Sequence, residues 1–321
     1  MSAQLLPPAD RLAPLRQHAT GQAGVFTRQQ ALAAGWTPSE IVTHVRRTRW
    51  VACGAGAYCI AADSDPRYLP ARRCAARRLR LGGDVVVSHA SAAVLLGLPH
   101  VEEPATPTFT LARSGPVVHR QGIYTAAVPD EHRLRMHGLV LTNGPRTFVD
   151  LLRNASDEYV AQGLADGGLS AGLTAYALAP VLASCERWPG IAQARAALEF
   201  GEPLCETPLE SRCRLWFRAA GLPAPTPQHL IRLPRGKRAR VDFCFVEHRV
   251  VVEADGRVKY SDGAPWRRAD DVPLWDEKLR EDQLRDLGFE VVRAYWRDGD
   301  DGGVALTARV RRAMDRAAAR R

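Results

Sequence analysis

Three carboxylates fall within one short apolar stretch, Arg240-Val-Asp242-Phe-Cys-Phe-Val-Glu-His-Arg-Val-Val-Val-Glu253-Ala-Asp255-Gly256. Both arms are rich in Val and Phe and read as strands. With Glu247 and His248 as a two-residue loop, Val246 pairs with Arg249 and Asp242 lies opposite Glu253. Side chains alternate along a strand, so Asp255 leaves from the same face as Glu253. Like charges facing each other across a ladder destabilise it. At about 4–5 Å and an effective dielectric of about 20, the repulsion is on the order of 3–4 kcal/mol. A divalent cation reverses that balance, because Mg²⁺ takes one or two carboxylates together with water and phosphate oxygens. The chemistry this hairpin offers is metal-dependent hydrolysis of a phosphodiester, with Mg²⁺ or Mn²⁺ on Asp242, Glu253 and Asp255; the structural alternative is Asp242 solvated at a strand end and Asp255-Gly256 as an ordinary turn.

The elements that must hold those carboxylates are signposted on both sides. Upstream, Thr207 is an N-cap, Pro208 suits the first helical position, Glu210 completes a capping box and Gly221 stops the helix. Leu209, Leu215, Trp216 and Ala219 supply its apolar side. Downstream, a second helix runs from Trp275 to its stop at Gly288 and leads into a strand from Phe289 to Trp296. The order is helix, strand, strand, helix, strand.

With these residues in view, the last third resembles the very-short-patch-repair-like endonucleases of the PD-(D/E)XK superfamily, a bacterial group of predicted endonucleases of unknown function. The resemblance covers about residues 201–300. It rests on Glu210-Ser-Arg-Cys-Arg214, Gly221-Leu-Pro-Ala-Pro225, Val241-Asp242-Phe243, Val252-Glu253-Ala-Asp255-Gly256, Glu277-Lys278-Leu-Arg280 and Leu287-Gly-Phe-Glu-Val-Val-Arg293. It implies that Asp242 is the principal metal ligand, Glu253 the second acid, and Glu210 a helix carboxylate that joins the shell. Where the superfamily usually places Lys, two residues after the second acid, this chain has Asp255, and the His run of very-short-patch repair enzymes is missing. Lys259, which keeps the strand parity of Glu253 and Asp255, and Lys278 on the next helix are the candidates to orient water. In such a site the metal polarises the phosphate and activates a bound water, and a lysine stabilises the charge that develops. Arg267, Arg268 and Arg280 are candidate phosphate clamps, or members of a solvated charged face.

The first sixty residues carry a second signal. Thr27-Arg-Gln-Gln30 and Thr37-Pro-Ser-Glu40 are consecutive capping boxes, each opening a short helix, and Gly35 ends the first before a turn at Trp36. Two short helices joined by a tight glycine-containing turn match a helix-turn-helix. In the second helix Ile41 and Val45 face inward with Val42 beside them, which leaves Ser39, Thr43, His44, Arg46 and Arg47 outward. The stretch from Arg49 to Ile60 reads as two short strands around a glycine-rich bend, a wing. Gly24-Val-Phe-Thr-Arg-Gln-Gln-Ala-Leu-Ala-Ala-Gly35 and Gly56-Ala-Tyr58 resemble the winged-helix domain of AbiEi-type antitoxins, repressors of bacterial type IV toxin–antitoxin systems. That resemblance covers about residues 20–62. It implies DNA as partner, read in the major groove by the helix from Thr37 to Arg49, a homodimer on a repeated site, and a toxin–antitoxin operon context.

Between the two ends, a helix with a basic face is expected over 67–80, and a strand over 84–88 whose Ser88 caps a helix to Leu96. Further strands are expected over 108–111, 117–128 and 139–142, then a helical run from Pro145 to about Phe200. His89 and Asp150 have no partner at recognisable spacing and read as structural. The expected architecture is therefore α/β and multidomain: a winged helix-turn-helix over 1–62, an α+β connecting domain over 63–200, and a PD-(D/E)XK-like restriction-endonuclease fold over 201–321. Lys and Arg number 44 against 35 Asp and Glu, a net charge of +9, which favours polyanions. Seven cysteines without a CxxC pair fit reduced thiols in a cytoplasm better than a disulfide frame or zinc site. No signal peptide or membrane span is expected. Two functions follow: a DNA-binding metal-dependent endonuclease, or a non-catalytic DNA-binding regulator that keeps the fold without the chemistry.

Overall fold

The structure, a computed structural model, describes residues 8–98, 101–112, 118–256 and 274–320. Its chain is mixed α/β and divides into two compact units, residues 1–154 with 174–192 and residues 155–173 with 193–321. These units do not follow the expected boundaries at 62 and 200.

In the first unit the opening order is α1 (Pro8–Gly21), β1 (Phe26–Thr27), α2 (Arg28–Ala33), α3 (Pro38–Arg46), β2 (Trp50–Gly54) and β3 (Ala57–Ile60), with the strands arranged β1-β3-β2. Both capping boxes form: Thr27 and Gln30, and Thr37 and Glu40, exchange side chain and backbone bonds as their spacing demands. No helix is expected before Gly24 within the 1–62 domain, yet α1 seats Leu15 in a core with Phe26, Trp36, Ile41 and Trp50. Trp36, expected in a turn, is a core residue whose Nε1 donates to the Arg11 carbonyl. Arg11 also lies 4.5 Å over the Trp36 ring and forms a two-pronged pair with Glu40.

The chain continues through α4 (Leu69–Leu81), β4 (Val85–Val87), α5 (His89–Leu96), β5 (Phe109–Ala112), β6 (Val118–Arg120), β7 (Ile123–Ala126), β8 (Arg133–Met136), β9 (Leu139–Thr142) and α6 (Gly144–Arg153). The six strands form one sheet in the order β6-β7-β5-β4-β9-β8. The single strand expected over 117–128 is two, split by a turn in which Gln121 and Gly122 both have positive φ. Residues 155–173 carry α7 (Glu158–Ser170) and belong to the second unit, whereas α8 (Ala175–Ser184) belongs to the first. In α9 (Ile191–Glu199), residues from Gln193 onward count with the second unit.

The second unit then runs α10 (Pro208–Ala219), β10 (Thr226–Arg232), β11 (Arg238–Phe245), β12 (Val250–Asp255), α11 (Leu274–Asp286), β13 (Glu290–Tyr295) and α12 (Val304–Ala319). Its sheet is β10-β11-β12-β13, antiparallel except for the parallel pairing of β12 with β13. One face packs Phe243, Phe245, Val250 and Val252 against Trp216 and Phe217 of α10 and Leu306 and Val310 of α12. The other packs Val241, Cys244 and Val251 against Leu284 of α11. Strand β10 was not anticipated, because Pro227, His229 and Arg232 break its apolar pattern; Pro is tolerated here because β10 is an edge strand. Helix α7 joins this unit through Gln162, which donates to the Ala197 carbonyl, and through Asp166, which accepts from the Glu202 N–H. Contacts of this kind, between residues more than thirty apart, explain why the compact unit does not begin at 201.

Candidate functional site

The hairpin keeps the expected register by a different turn. Its ladder closes at Phe245↔Val250, and Val246–His248 form a tight helical turn completed by Arg249 at φ 52. Four residues replace the expected two, yet the pairs Phe243↔Val252 and Cys244↔Val251 still bring Asp242 and Glu253 one step beyond the last rung.

The faces differ from expectation, and Asp242 is the reason. Ala239 and Val241 pack on the α11 side, Phe243 and Phe245 on the α10 side, so the alternation of β11 slips at Asp242. Opposite it, Gln228 adopts φ 47, and the ladder passes from Pro227↔Phe243 to His229↔Val241 without a pair between them. The slip frees the Asp242 side chain to take over a backbone role, and its Oδ2 accepts the Ala254 N–H at 2.8 Å. Its Oδ1 lies 3.5 Å from the Gln228 Nε2, which donates more closely, at 2.9 Å, to Oε2 of Glu210.

Glu210 and Asp242 are only 1% and 5% exposed, so two buried acids share one amide. Burial pushes the Glu210 carboxyl up to about 7, and the Asp242 charge adds to the shift. Thr207 anchors Glu210: the threonine hydroxyl donates to Oε1 at 2.7 Å and accepts the Glu210 N–H. The return bond expected of a capping box goes instead from the Glu206 N–H to Oε2, 3.1 Å.

Glu253 and Asp255 engage cations on the α11 side. Arg280 pairs with Glu253 at 3.1 Å and also donates to the Arg240 carbonyl. Arg293 lies 3.8 Å from Asp255 and 2.8 Å from Glu281. Arg280, expected as a phosphate clamp, therefore spends its charge on Glu253. Lys278 is exposed on α11. Lys259, Arg267 and Arg268 lie outside the described residues.

Among the described residues no group of three His, Cys, Asp or Glu side chains forms a ready metal cage. Mg²⁺ and Mn²⁺ need fewer protein ligands than that and prefer oxygen donors, and the Glu210–Asp242 pair is an oxygen-only donor set. The fit is thus to a hard divalent cation held partly by water and substrate. The ion would supply Lewis acidity, and Gln228 would hold the two carboxylates in register.

At the opposite end of the chain, α3 presents Ser39, Val42, Thr43, Arg46 and Arg47 to solvent, followed by exposed Arg49. Two expectations change. Val42, expected beside the inward residues, is 45% exposed. His44, expected outward, is half-buried edge-on to Trp36 (4.7 Å) and against Trp50 (5.0 Å). Burial and the charge of Arg49 hold its imidazole below the usual range. Arg28, Arg46, Arg47 and Arg49 form no ion pair among the described residues, so their charge remains available.

Sequence reasoning missed one buried polar cluster. Asp150, fully buried, accepts from Arg146 and Arg153 at 2.9 Å each, and both guanidinium groups lie under the Trp188 ring at 4.7 and 4.9 Å. His89 stacks on Tyr124 at 3.4 Å and meets Ser88 through Nδ1. The i, i+4 and i, i+3 spacing of Arg146, Asp150 and Arg153 was a readable signal; Trp188, thirty-five residues beyond Arg153, was not.

No family model matches the chain. It is similar to two uncharacterized Mycobacterium tuberculosis proteins, MT2308 of strain CDC 1551 / Oshkosh and Rv2248 of strain ATCC 25618 / H37Rv, each 31% identical over 128 residues. Each match covers 40% of this chain and spans 44% of the relative's length. Among solved structures, a crystal structure of the RV2827C protein from M. tuberculosis overlaps 72% of this chain and 91% of its own, at 16% identity and a TM-score of 0.35. No described helix is long and apolar enough to cross a membrane.

Proposed function

We propose that this chain is a DNA-binding protein whose C-terminal unit is a metal-dependent endonuclease. The observation that carries the reading is the buried Glu210–Asp242 pair bridged by Gln228 beside the Glu253 strand. Glu210 also caps α10 and Asp242 also holds the Ala254 N–H, but two acids buried side by side, with the Glu210 carboxyl pushed up to about 7, form an arrangement that a bound cation would stabilise. The order α10-β10-β11-β12-α11-β13 supports a PD-(D/E)XK-like core, in agreement with the resemblance of residues 201–300. The order α1-β1-α2-α3-β2-β3 with sheet order β1-β3-β2 supports a winged helix, whose α3 would lie in the major groove.

Asp242 and Glu210 would hold Mg²⁺ or Mn²⁺, which would supply Lewis acidity to a phosphate, with Glu253, here paired with Arg280, as the further candidate ligand on the neighbouring strand. Lys278 stands on the adjoining helix to stabilise charge on the phosphoryl oxygens. A second reading, a non-catalytic regulator resembling AbiEi antitoxins, is favoured by the arginines that engage Glu253 and Asp255. Incubating the purified chain with supercoiled plasmid and Mg²⁺ or Mn²⁺, beside Asp242→Ala, decides between them. Metal-dependent nicking lost in the variant supports the nuclease; DNA binding without nicking in either supports the regulator.

A further inference from the structure

Val42 occupies the centre of the exposed face of α3, one turn from Ser39 and one turn from Arg46, with Thr43 beside it. Its side chain is 45% exposed and is not part of the adjoining core of Leu15, Phe26, Trp36, Ile41 and Trp50. A β-branched residue is a poorer helix former than alanine, so local propensity does not account for it in a nine-residue helix. One turn away on the helix lie Pro38, Ser39, Val45 and Arg46, and the exposed Arg46, Arg47 and Arg49 at and just after the end of α3 supply charge suited to phosphates. Beside such charge, an apolar side chain meets one apolar group on the major-groove edge of DNA, the methyl on C5 of a pyrimidine.

We infer that Val42 is a specificity-determining residue that contacts a pyrimidine C5-methyl group, carried by thymine or by 5-methylcytosine, while Arg46 and Arg47 hold the flanking phosphates. This rests on the DNA-binding reading above. It predicts that sequence preference and total affinity separate: Val42 sets the first and the arginines the second.

The test begins by enriching a binding site for the full chain from a random-sequence duplex pool. Each thymine of that site is then replaced singly by deoxyuridine, and each cytosine by 5-methylcytosine. Dissociation constants are measured for the parent, Val42→Ala and Val42→Thr, with thermal melting to show that the variants fold. At one position the methyl should strengthen parental binding roughly fourfold, the weight of one buried methylene-sized group. Val42→Ala should bind the methylated site about fourfold more weakly and be indifferent to the methyl. A response to deoxyuridine assigns the contact to thymine, and a response confined to 5-methylcytosine assigns it to the modified base. A methyl effect of the same size in parent and Val42→Ala, or none at any position, overturns the inference while leaving DNA binding intact. Failure to enrich any sequence overturns the sequence-specific DNA-binding reading, and the role of Val42 with it.

Discussion

The two ends of this chain use charge in opposite ways. On α3 the arginines are exposed and unpaired among the described residues, whereas on the C-terminal sheet each acid is buried or engaged by a neighbour. An exposed cation loses little by waiting in water and gains by releasing counterions when a polyanion arrives. A buried carboxylate pair is unfavourable until something compensates it, and the protein compensates in part with a backbone N–H, an amide and a raised Glu210 pKa. In the proposed function, the contrast corresponds to affinity at one end and chemistry at the other.

The largest expected effect tests that division directly. Asp242→Ala should abolish plasmid cleavage while leaving the dissociation constant for DNA unchanged or slightly improved, since it removes a negative charge. Cleavage at the parental rate would break the comparison at its chemical end.

Next in size is a stability effect that belongs to neither end. Asp150→Ala leaves two buried guanidinium groups without their shared carboxylate, and should cost about 3–5 kcal/mol in chemical denaturation. A loss under about 1 kcal/mol would mean that Trp188 and the carbonyls around the arginines suffice to hold them.

Arg46→Ala with Arg47→Ala should weaken DNA binding and flatten its dependence on salt by up to about two units of slope, each phosphate contact contributing roughly 0.9. Titrations at several salt concentrations, with cleavage measured at saturating protein, sharpen the comparison if affinity falls and the saturated rate does not. An unchanged slope would remove α3 from the interface.

The subtlest expectation concerns pH. Glu210 has a folded pKa of about 7, above the ordinary 4.5, so between those values the native state holds a proton that the unfolded state has lost. Stability from this group is therefore full below about pH 4.5 and declines as pH rises through about 7. Unfolding midpoints of the parent should fall relative to Glu210→Gln across that window and run parallel above it. Excess Mg²⁺ should shrink the difference, because a bound cation favours the ionised carboxylate. Parallel curves throughout would mean that Glu210 is not held protonated.

Much of the scaffold was legible because its signals are local. Thr27 with Gln30, Thr37 with Glu40, and Thr207 with Pro208 start helices where their spacing placed them. The hairpin register survived a wrong turn, since the apolar pattern of Phe243, Phe245, Val250 and Val252 constrains it independently of the loop. Helix α1 and strand β10 escaped because Pro14 and Pro227 interrupt the patterns by which such elements are recognised.

The candidate site was legible as a set of residues and not as a geometry. By itself the sequence determined that Asp242, Glu253 and Asp255 share a hairpin, that Glu210 opens the helix before it, and that arginines crowd the end of α3. These follow from spacing along one chain, where bonds reach three or four residues. Only the tertiary structure decided that Asp242 turns toward Glu210 and Gln228, that Arg280 and Arg293 take the other two acids, that His44 is covered by Trp36 and Trp50, and that Val42 is not covered. Each of those outcomes depends on how side chains pack or on a partner supplied by another element. Fourteen residues separate Asp242 from Gln228 and thirty-eight separate Asp255 from Arg293, and no local pattern encodes which of several arginines or amides will arrive.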